Sequence, residues 1–457
     1  MTDSGLLGPV WAGTPIESVV GDEAWLRAML DAEAALARAQ ARLGLIPGSA
    51  SESITSAAAS ARLDLRELAV RSRSAANPVV ALVPAFTEAV REIDPAAAEY
   101  VHRGSTSQDI LDTACMLVAK RAFALIEDDL TAVAASLAAL AESHRETVLA
   151  GRTLTQHAVP ITFGLKAATW LQGVLDALAR VRALGLPAEL GGAAGTLSAY
   201  GAYAELDAGS PLPLGGAELI APFAEETGLA EPVTCWHTAR APIADLGAVA
   251  QFVTGALGKL ALDVQLSCRT EIGELAEPFA TGRGASSAMP QKRNPVLATL
   301  ILSAARQVPS HALVLAQSML ADDERPGGAW HAEWQSVREA LRLTGGAAHT
   351  AAELCAGLVV HPERMAENLA RTGGAIVAER LNVALAPVLG KAPAKKLLTD
   401  AAIEADSTGK PFAAVVAALP ELADLLADGK LLDPREYVGA SDALVDRVLA
   451  RYRVQRP

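Results

Sequence analysis

Aromatic side chains are scarce. Phe, Trp and Tyr together make up 4% of the 457 residues. A core built on large rings is therefore excluded, although 51% of the chain is hydrophobic. Alanine and leucine supply most of the apolar share, and both are strong helix formers. Cysteine is rarer still. Cys115, Cys235, Cys268 and Cys355 lie far apart with no Cys-x-x-Cys spacing. That pattern indicates neither a zinc site nor a disulfide framework, and it fits a reducing compartment. No run of about 18 uncharged apolar residues occurs, so no membrane span is expected. The first residues, Met1 to Gly5, show no basic segment leading into an apolar run, so no signal peptide is expected. Lys/Arg clusters are also missing, and the net charge is −13. A nucleic-acid partner is excluded on that ground. The chain reads as cytoplasmic, and an anionic substrate would need a local cationic pocket.

What is present is helical periodicity. Between Asp22 and Leu43, apolar residues recur at steps of three and four: Trp25, Met29, Ala32, Leu36, Ala39, Leu43. Shorter helical runs surround Leu63–Val70 and Asn77–Val90. Much longer ones follow: Asp109 to Arg145, Pro160 to Arg182, Ala241 to Leu275, Pro295 to Leu320 and Trp334 to Leu358. Runs of this length are bundle helices and not strands. Beyond about Pro362 the helices shorten and turns multiply. A chain of this size exceeds one ordinary core. The expectation is an all-α fold in three parts: an N-terminal helical domain 1–106, a central long-helix bundle 107–350 and a C-terminal helical domain 351–457.

Three segments carry chemistry. The first, Gly282 to Pro295, is a Gly/Ser/Pro-rich loop between two long helices, with Ser286, Ser287, Lys292 and Asn294 close together. A bare Ser-Ser pair is most simply a surface loop. Loop amides and an ammonium could, however, stabilise an alkoxide and make serine a useful base. The second, His102 to Asp109, places hydroxyls and amides ahead of a long helix, where unpaired N–H groups attract an anion. Plain N-capping by Ser107 or Asp109 is the competing explanation. The third is Gly151-Arg152-Thr153-Leu154-Thr155-Gln156-His157-Ala158-Val159-Pro160. Gly191 to Thr196 is glycine-rich but has no preceding strand and no G-x-G-x-x-G, so no nucleotide fold follows. His311, His349 and His361 are isolated and show no metal-ligand spacing.

The string S-S-x-M-P-x-K-x-N, Ser286 to Asn294, resembles the signature loop of the fumarase/aspartase superfamily. His102-x-Gly-x-Thr106-Ser107-x-Asp109 is similar to a substrate-carboxylate segment of that superfamily, and Gly151 to Pro160 to another of its shared stretches. Trp236 to Arg240, Asp323 to Trp334 and Asp433 to Gly439 resemble its 3-carboxy-cis,cis-muconate cycloisomerase branch. The resemblance implies Ser286 as proton carrier and Lys292 as holder of developing negative charge. It implies Asn294, Met289, His102, Thr106, Ser107, Gln156, His157, His237 and Arg240 as substrate contacts. It further implies no metal or organic cofactor and a small tricarboxylate substrate. The assembly it implies is a homotetramer whose active sites are shared between subunits. The implied reaction is intramolecular conjugate addition of a carboxylate, giving 4-carboxymuconolactone in protocatechuate breakdown.

Two departures stand out. Ala285 replaces the usual glycine before the serines. Leu154 occupies a position where many of these lyases carry a histidine that protonates the leaving group. A carboxylate, with a pKa near 4, needs no such proton. Leu154 therefore points away from expulsion of hydroxide or an amine. It equally permits a lyase that expels a stabilised anion such as nitrite, which stands as the alternative. An adenylosuccinate lyase-like enzyme, or a non-catalytic helical scaffold, is the remaining reading, and the intact Ser286, Lys292 and Asn294 speak against the scaffold.

Overall fold

The computed structural model describes residues 4–208, 212–285, 288–289, 291–427 and 429–455. Ser286, Ser287 and Pro290 lie outside them.

The fold is all-α. Helix α1, Asp22–Arg42, buries Trp25, Met29, Ala32, Leu36 and Ala39. The three-and-four spacing thus becomes one packed face, while Leu43 falls just past the helix and is partly exposed. Gly48–Ser60 is also a helix. Its serine-rich sequence gives little propensity, yet Ile54, Ala50 and Ala57 are buried, and that side packs on α1. Tertiary contact decides the conformation there. Helix α2, Pro78–Ile93, starts at Asn77, whose side chain accepts from the Val79 N–H at 3.0 Å.

The long helices follow. Helix α3 spans Ser107–Ser143, 37 residues. Next come α4, Phe163–Arg182, α5, Ala241–Ser267, α6, Val296–Gln317, and α7, Ala329–Ala356. Their buried positions are mostly small or aliphatic, such as Ala114, Ala119, Ala122 and Ile126 on α3. Helix α5 is long and apolar enough to cross a membrane by length and composition, but half of its apolar window is buried inside the structure. It is a core helix of this fold. After α7 the helices shorten, and a separate cluster forms around Ile376, Val377, Leu381, Leu398, Phe412 and Val416.

The segment before α4 differs from the helical start expected at Pro160. It is a β-hairpin, with β1 at Val148–Thr153 and β2 at Gln156–Thr162. Pro160 pairs with Ala150, and the register shifts between Ala150 and Arg152. Gly151 sits at that shift. A Cβ there would lie 2.6 Å from the Val159 carbonyl oxygen, so only glycine fits. Leu154 and Thr155 form the tip with φ of 49° and 71°, the geometry of a two-residue I′ turn that normally selects Asn-Gly. Neither residue advertises such a turn, which is why the strand pair was not legible.

The chain forms two compact units. The first contains 1–128, 179–255 and 303–349; the second contains 129–178, 256–302 and 350–457. The cuts fall within the long helices; one of them, between residues 349 and 350, lies beside the boundary expected at 350, and none lies at 106.

Candidate active site

In the first unit, the turn before α3 is built around Asp109. The carboxylate is fully buried. It accepts from the backbone N–H of Gly191 at 2.8 Å and of Gly192 at 3.1 Å. The N–H of Thr106, the hydroxyl of Tyr200 and Nε2 of His237 also reach it, at 3.1, 3.1 and 3.0 Å. Burial alone would raise its pKa; the hydrogen bonds and charge of His237, with the Thr106 and Gly191 N–H groups, outweigh it and hold the carboxyl below its usual range. Asp109 therefore locks the Gly191–Gly192 turn onto the helix start.

His102 lies in this turn at φ 57°. Its Nδ1 is 2.6 Å from Glu33 Oε1. Burial disfavours the imidazolium, but the Glu33 carboxylate overcomes that and raises the His102 pKa. Ser107, the first residue of α3, accepts from Asn77 Nδ2 at 2.8 Å. An imidazole, two hydroxyl residues and a helix N-terminus thus share one segment, which is the composition of an anion site.

Arg240 and His237 are both buried among protein partners. Arg240 is 1% exposed. Its guanidinium donates to Asp112 at 2.7 and 3.1 Å and to Glu333 at 3.0 and 2.5 Å. Trp330 Nε1 adds a bond to Asp112 at 2.9 Å, and Gln108 Nε2 bridges Asp112 and the His237 carbonyl at 3.1 and 2.9 Å. Both edges of the guanidinium are taken up by protein carboxylates. Composition and motif did not reveal Glu33, Asp112 or Glu189, and Glu333 was visible only within the stretch Asp323 to Trp334. Asp109 was visible only as the final residue of the His102 string.

In the second unit, the hairpin presents Leu154 at its tip with 96% exposure. Gln156 is exposed beside it. His157 pairs across the ladder with Arg152, and Arg152 forms a two-pronged bond to buried Glu274 at 2.7 and 2.9 Å. Asn368 donates to the same carboxylate at 2.9 Å. Burial, and then the Arg152 charge, lower the His157 pKa, so its imidazole is neutral at neutral pH.

The signature loop follows in the same unit. Ala285 bridges Arg293 antiparallel. The Gly284 carbonyl accepts both the Asn294 N–H at 3.0 Å and Asn294 Nδ2 at 3.1 Å. Lys292 N–H donates to the Met289 carbonyl at 3.1 Å. Glu277 caps α6 through the N–H groups of Leu297 and Ala298 at 3.1 and 2.8 Å. A cavity of about 330 Å³ lies at the base, lined by Phe279, Arg283, Arg293, Asn294 and His361 among others. Lys292 and Met289 are exposed on the loop. The structure thus gathers Met289, Lys292 and Asn294 in one loop, Gln156 and His157 on one strand, and His102, Thr106 and Ser107 at one helix start. Ser286 lies outside the described residues.

Gly284 has φ of 63°, and a Cβ there would meet the Asn294 carbonyl oxygen at 2.5 Å. Gly284→Ala is expected to strain the loop by about 1–3 kcal/mol. Turnover should fall while the thermal midpoint changes little, because the strain is confined to a surface loop. Unchanged kcat in this variant would show that the loop's closure at Gly284 is not needed.

Residues 15–310 match the protein family described as Lyase, and residues 374–448 match the family described as Adenylosuccinate lyase C-terminus. The chain is 58% identical to a nitrosuccinate lyase of Streptomyces davaonensis, over 98% of this chain and 95% of that protein. It is 39% identical to a 3-carboxy-cis,cis-muconate cycloisomerase of Bradyrhizobium diazoefficiens, over 98% of each. The crystal structure of a 3-carboxy-cis,cis-muconate lactonizing enzyme from Pseudomonas putida matches with a TM-score of 0.90 at 34% identity, covering 98% of this chain and 99% of that one. The chain belongs to the lyase family of the fumarase/aspartase superfamily.

Proposed function

We propose that this enzyme eliminates nitrite from nitrosuccinate, leaving fumarate. The observation that supports it most is the 58% identity to a nitrosuccinate lyase over nearly the whole chain, against 39% to a cycloisomerase. Leu154 gives that likeness a chemical reason. Nitrous acid is comparable in strength to a carboxylic acid, so nitrite leaves as a stable anion. An acid at the hairpin tip would have nothing to protonate.

In this reading Ser286, as alkoxide, removes a proton from C3 of nitrosuccinate. The electron pair moves onto the adjacent C4 carboxylate as an aci-carboxylate. Lys292, Asn294 and loop amides hold that charge. The pair then returns to form the C2–C3 double bond as the C2–N bond breaks and nitrite departs. Ser286 releases its proton to water. The C2 proton, beside the nitro group, is the more acidic one. Removing it would give only a nitronate, so the substrate must be held with C3 toward the base. His102, Thr106 and Ser107 are the proposed grip on one carboxylate, with Gln156 and His157 as further contacts. Arg240 and His237 serve this site from behind, by fixing the turn at Asp109 and Asp112.

The second reading is lactonisation of 3-carboxy-cis,cis-muconate, supported by the 39% relatives. It needs the same serine, lysine and asparagine, and Leu154 suits it equally. Both substrates should be assayed side by side by absorbance, with nitrite measured separately. A kcat/KM several orders of magnitude higher on nitrosuccinate is expected. Faster lactonisation, or fumarate without nitrite, would overturn the proposal in favour of the second reading or another lyase. We further propose a homotetramer sharing its sites between subunits, to be checked by light scattering.

His157 tests the absence of an acid. Its neutral imidazole fits a contact better than a proton donor. His157→Ala should raise KM several-fold and leave both limbs of the kcat pH profile in place between pH 5 and 9. Loss of one limb would show that the acid had been moved to His157.

A further inference from the structure

The wide spacing of the cysteines concealed a cluster that the fold assembles in the first unit. Glu189, Cys235 and His237 each offer a ligand atom, and these atoms lie within 4.8 Å of one another. Two of the three residues are buried, Glu189 fully and His237 at 2% exposure. His237 Nδ1 has no hydrogen-bond partner among the described residues, and Glu189 Oε1 faces His237 Nε2 at 3.7 Å. Buried polar atoms are normally satisfied, and this orphaned nitrogen beside a carboxylate and a thiol points to a missing partner. We propose that Glu189, Cys235 and His237 bind one zinc-like divalent cation, which ties the Glu189–Gly192 turn to the Cys235–His237 segment.

The donor set suits that ion. Thiolate, imidazole and carboxylate together select zinc or cobalt over magnesium or calcium. His237 already carries the second partner a metal-bound histidine needs, because its Nε2 meets Asp109 at 3.0 Å. The other carboxylate oxygen of Glu189 is fixed by the Trp236 N–H at 2.8 Å. Gly191 lets the turn close on the site, since a Cβ there would lie 2.4 Å from Cys235 Sγ. Cys235 is only half-buried and gives an ion a way in. Binding displaces the Cys235 thiol proton to solvent. The fourth position would be filled by water.

Cobalt(II) is the probe. Chelator-treated full-length protein is titrated with Co²⁺, and thiolate-to-cobalt charge-transfer absorption is recorded in the near ultraviolet. One equivalent per chain should bind with that band, and zinc should displace it. Cys235→Ser should abolish the band, and Glu189→Gln should weaken binding by about tenfold or more. Zinc should also raise the wild-type thermal midpoint. If Cys235→Ser does not fold, Glu189→Gln and the zinc-dependent midpoint still decide. No charge-transfer band, a band unchanged in Cys235→Ser, or no midpoint rise would overturn the site.

Discussion

Ser286→Ala is expected to lower kcat by about 10³–10⁴-fold, near the upper end of what one proton-transfer group contributes. Carbon acids beside a carboxylate are weak. Elimination from them is slow unless a base sits against the proton while the aci-carboxylate is held. Lys292 and Asn294 remain in the variant, so charge stabilisation survives and only the proton carrier is lost. The fall should appear in kcat more than in KM, since alanine removes one hydroxyl and no charge. Ser287→Ala, one residue on, should keep most of the activity and serves as the control for loop damage. Far-ultraviolet circular dichroism and the thermal midpoint should match wild type in both. Wild-type kcat in folded Ser286→Ala would remove that residue from the mechanism, and with it the reading of the loop as the catalytic one.

The long helices were legible because their cause is local. Apolar spacing, helix-forming alanine and leucine, and interrupting Gly/Pro all act within a few residues. The helix at Asp22–Arg42 and the start at Ser107 follow that logic to within a few residues. The hairpin was not legible because its turn violates the local rule. Leu154 and Thr155 both hold positive φ without being Gly or Asn, and a strained turn of this kind is a mark of function more than of propensity. Gly151, needed for the close approach to Val159, was the available signal. In the site, the motif residues could be placed along the chain. Most of their acidic partners could not, because Glu33, Asp112 and Glu189 lie outside every motif and meet it only through the fold. Lone carboxylates among 52 acidic residues carry no flag that marks them as buried.

Arg240 shows how such partners change a residue's meaning. Arg240→Met should destabilise the protein by about 3–5 kcal/mol, because it leaves Asp112 and Glu333 buried without their cation. Both carboxylates are nearly inaccessible, at 2% and 1% exposure. Methionine fills much of the arginine stem, so a packing void contributes little. The pH dependence supplies a second readout. Burial pushes Glu333 up to about 7 even with Arg240 beside it. A carboxyl whose folded pKa exceeds its unfolded value is favourable to folding at low pH, and that contribution is lost as pH rises through the folded pKa. Without Arg240 the folded pKa rises further. The gap between variant and wild type should therefore widen as pH rises through about 7, being larger at pH 8 than at pH 5. Urea midpoints followed by tryptophan fluorescence at both pH values measure this. Glu333→Gln added to Arg240→Met should recover part of the loss, since it removes one stranded charge. A substrate contact would behave otherwise: Arg240→Met would keep the wild-type urea midpoint at both pH values and raise KM alone. That outcome would return Arg240 to the ligand and leave the Asp112–Glu333 pair without its explanation.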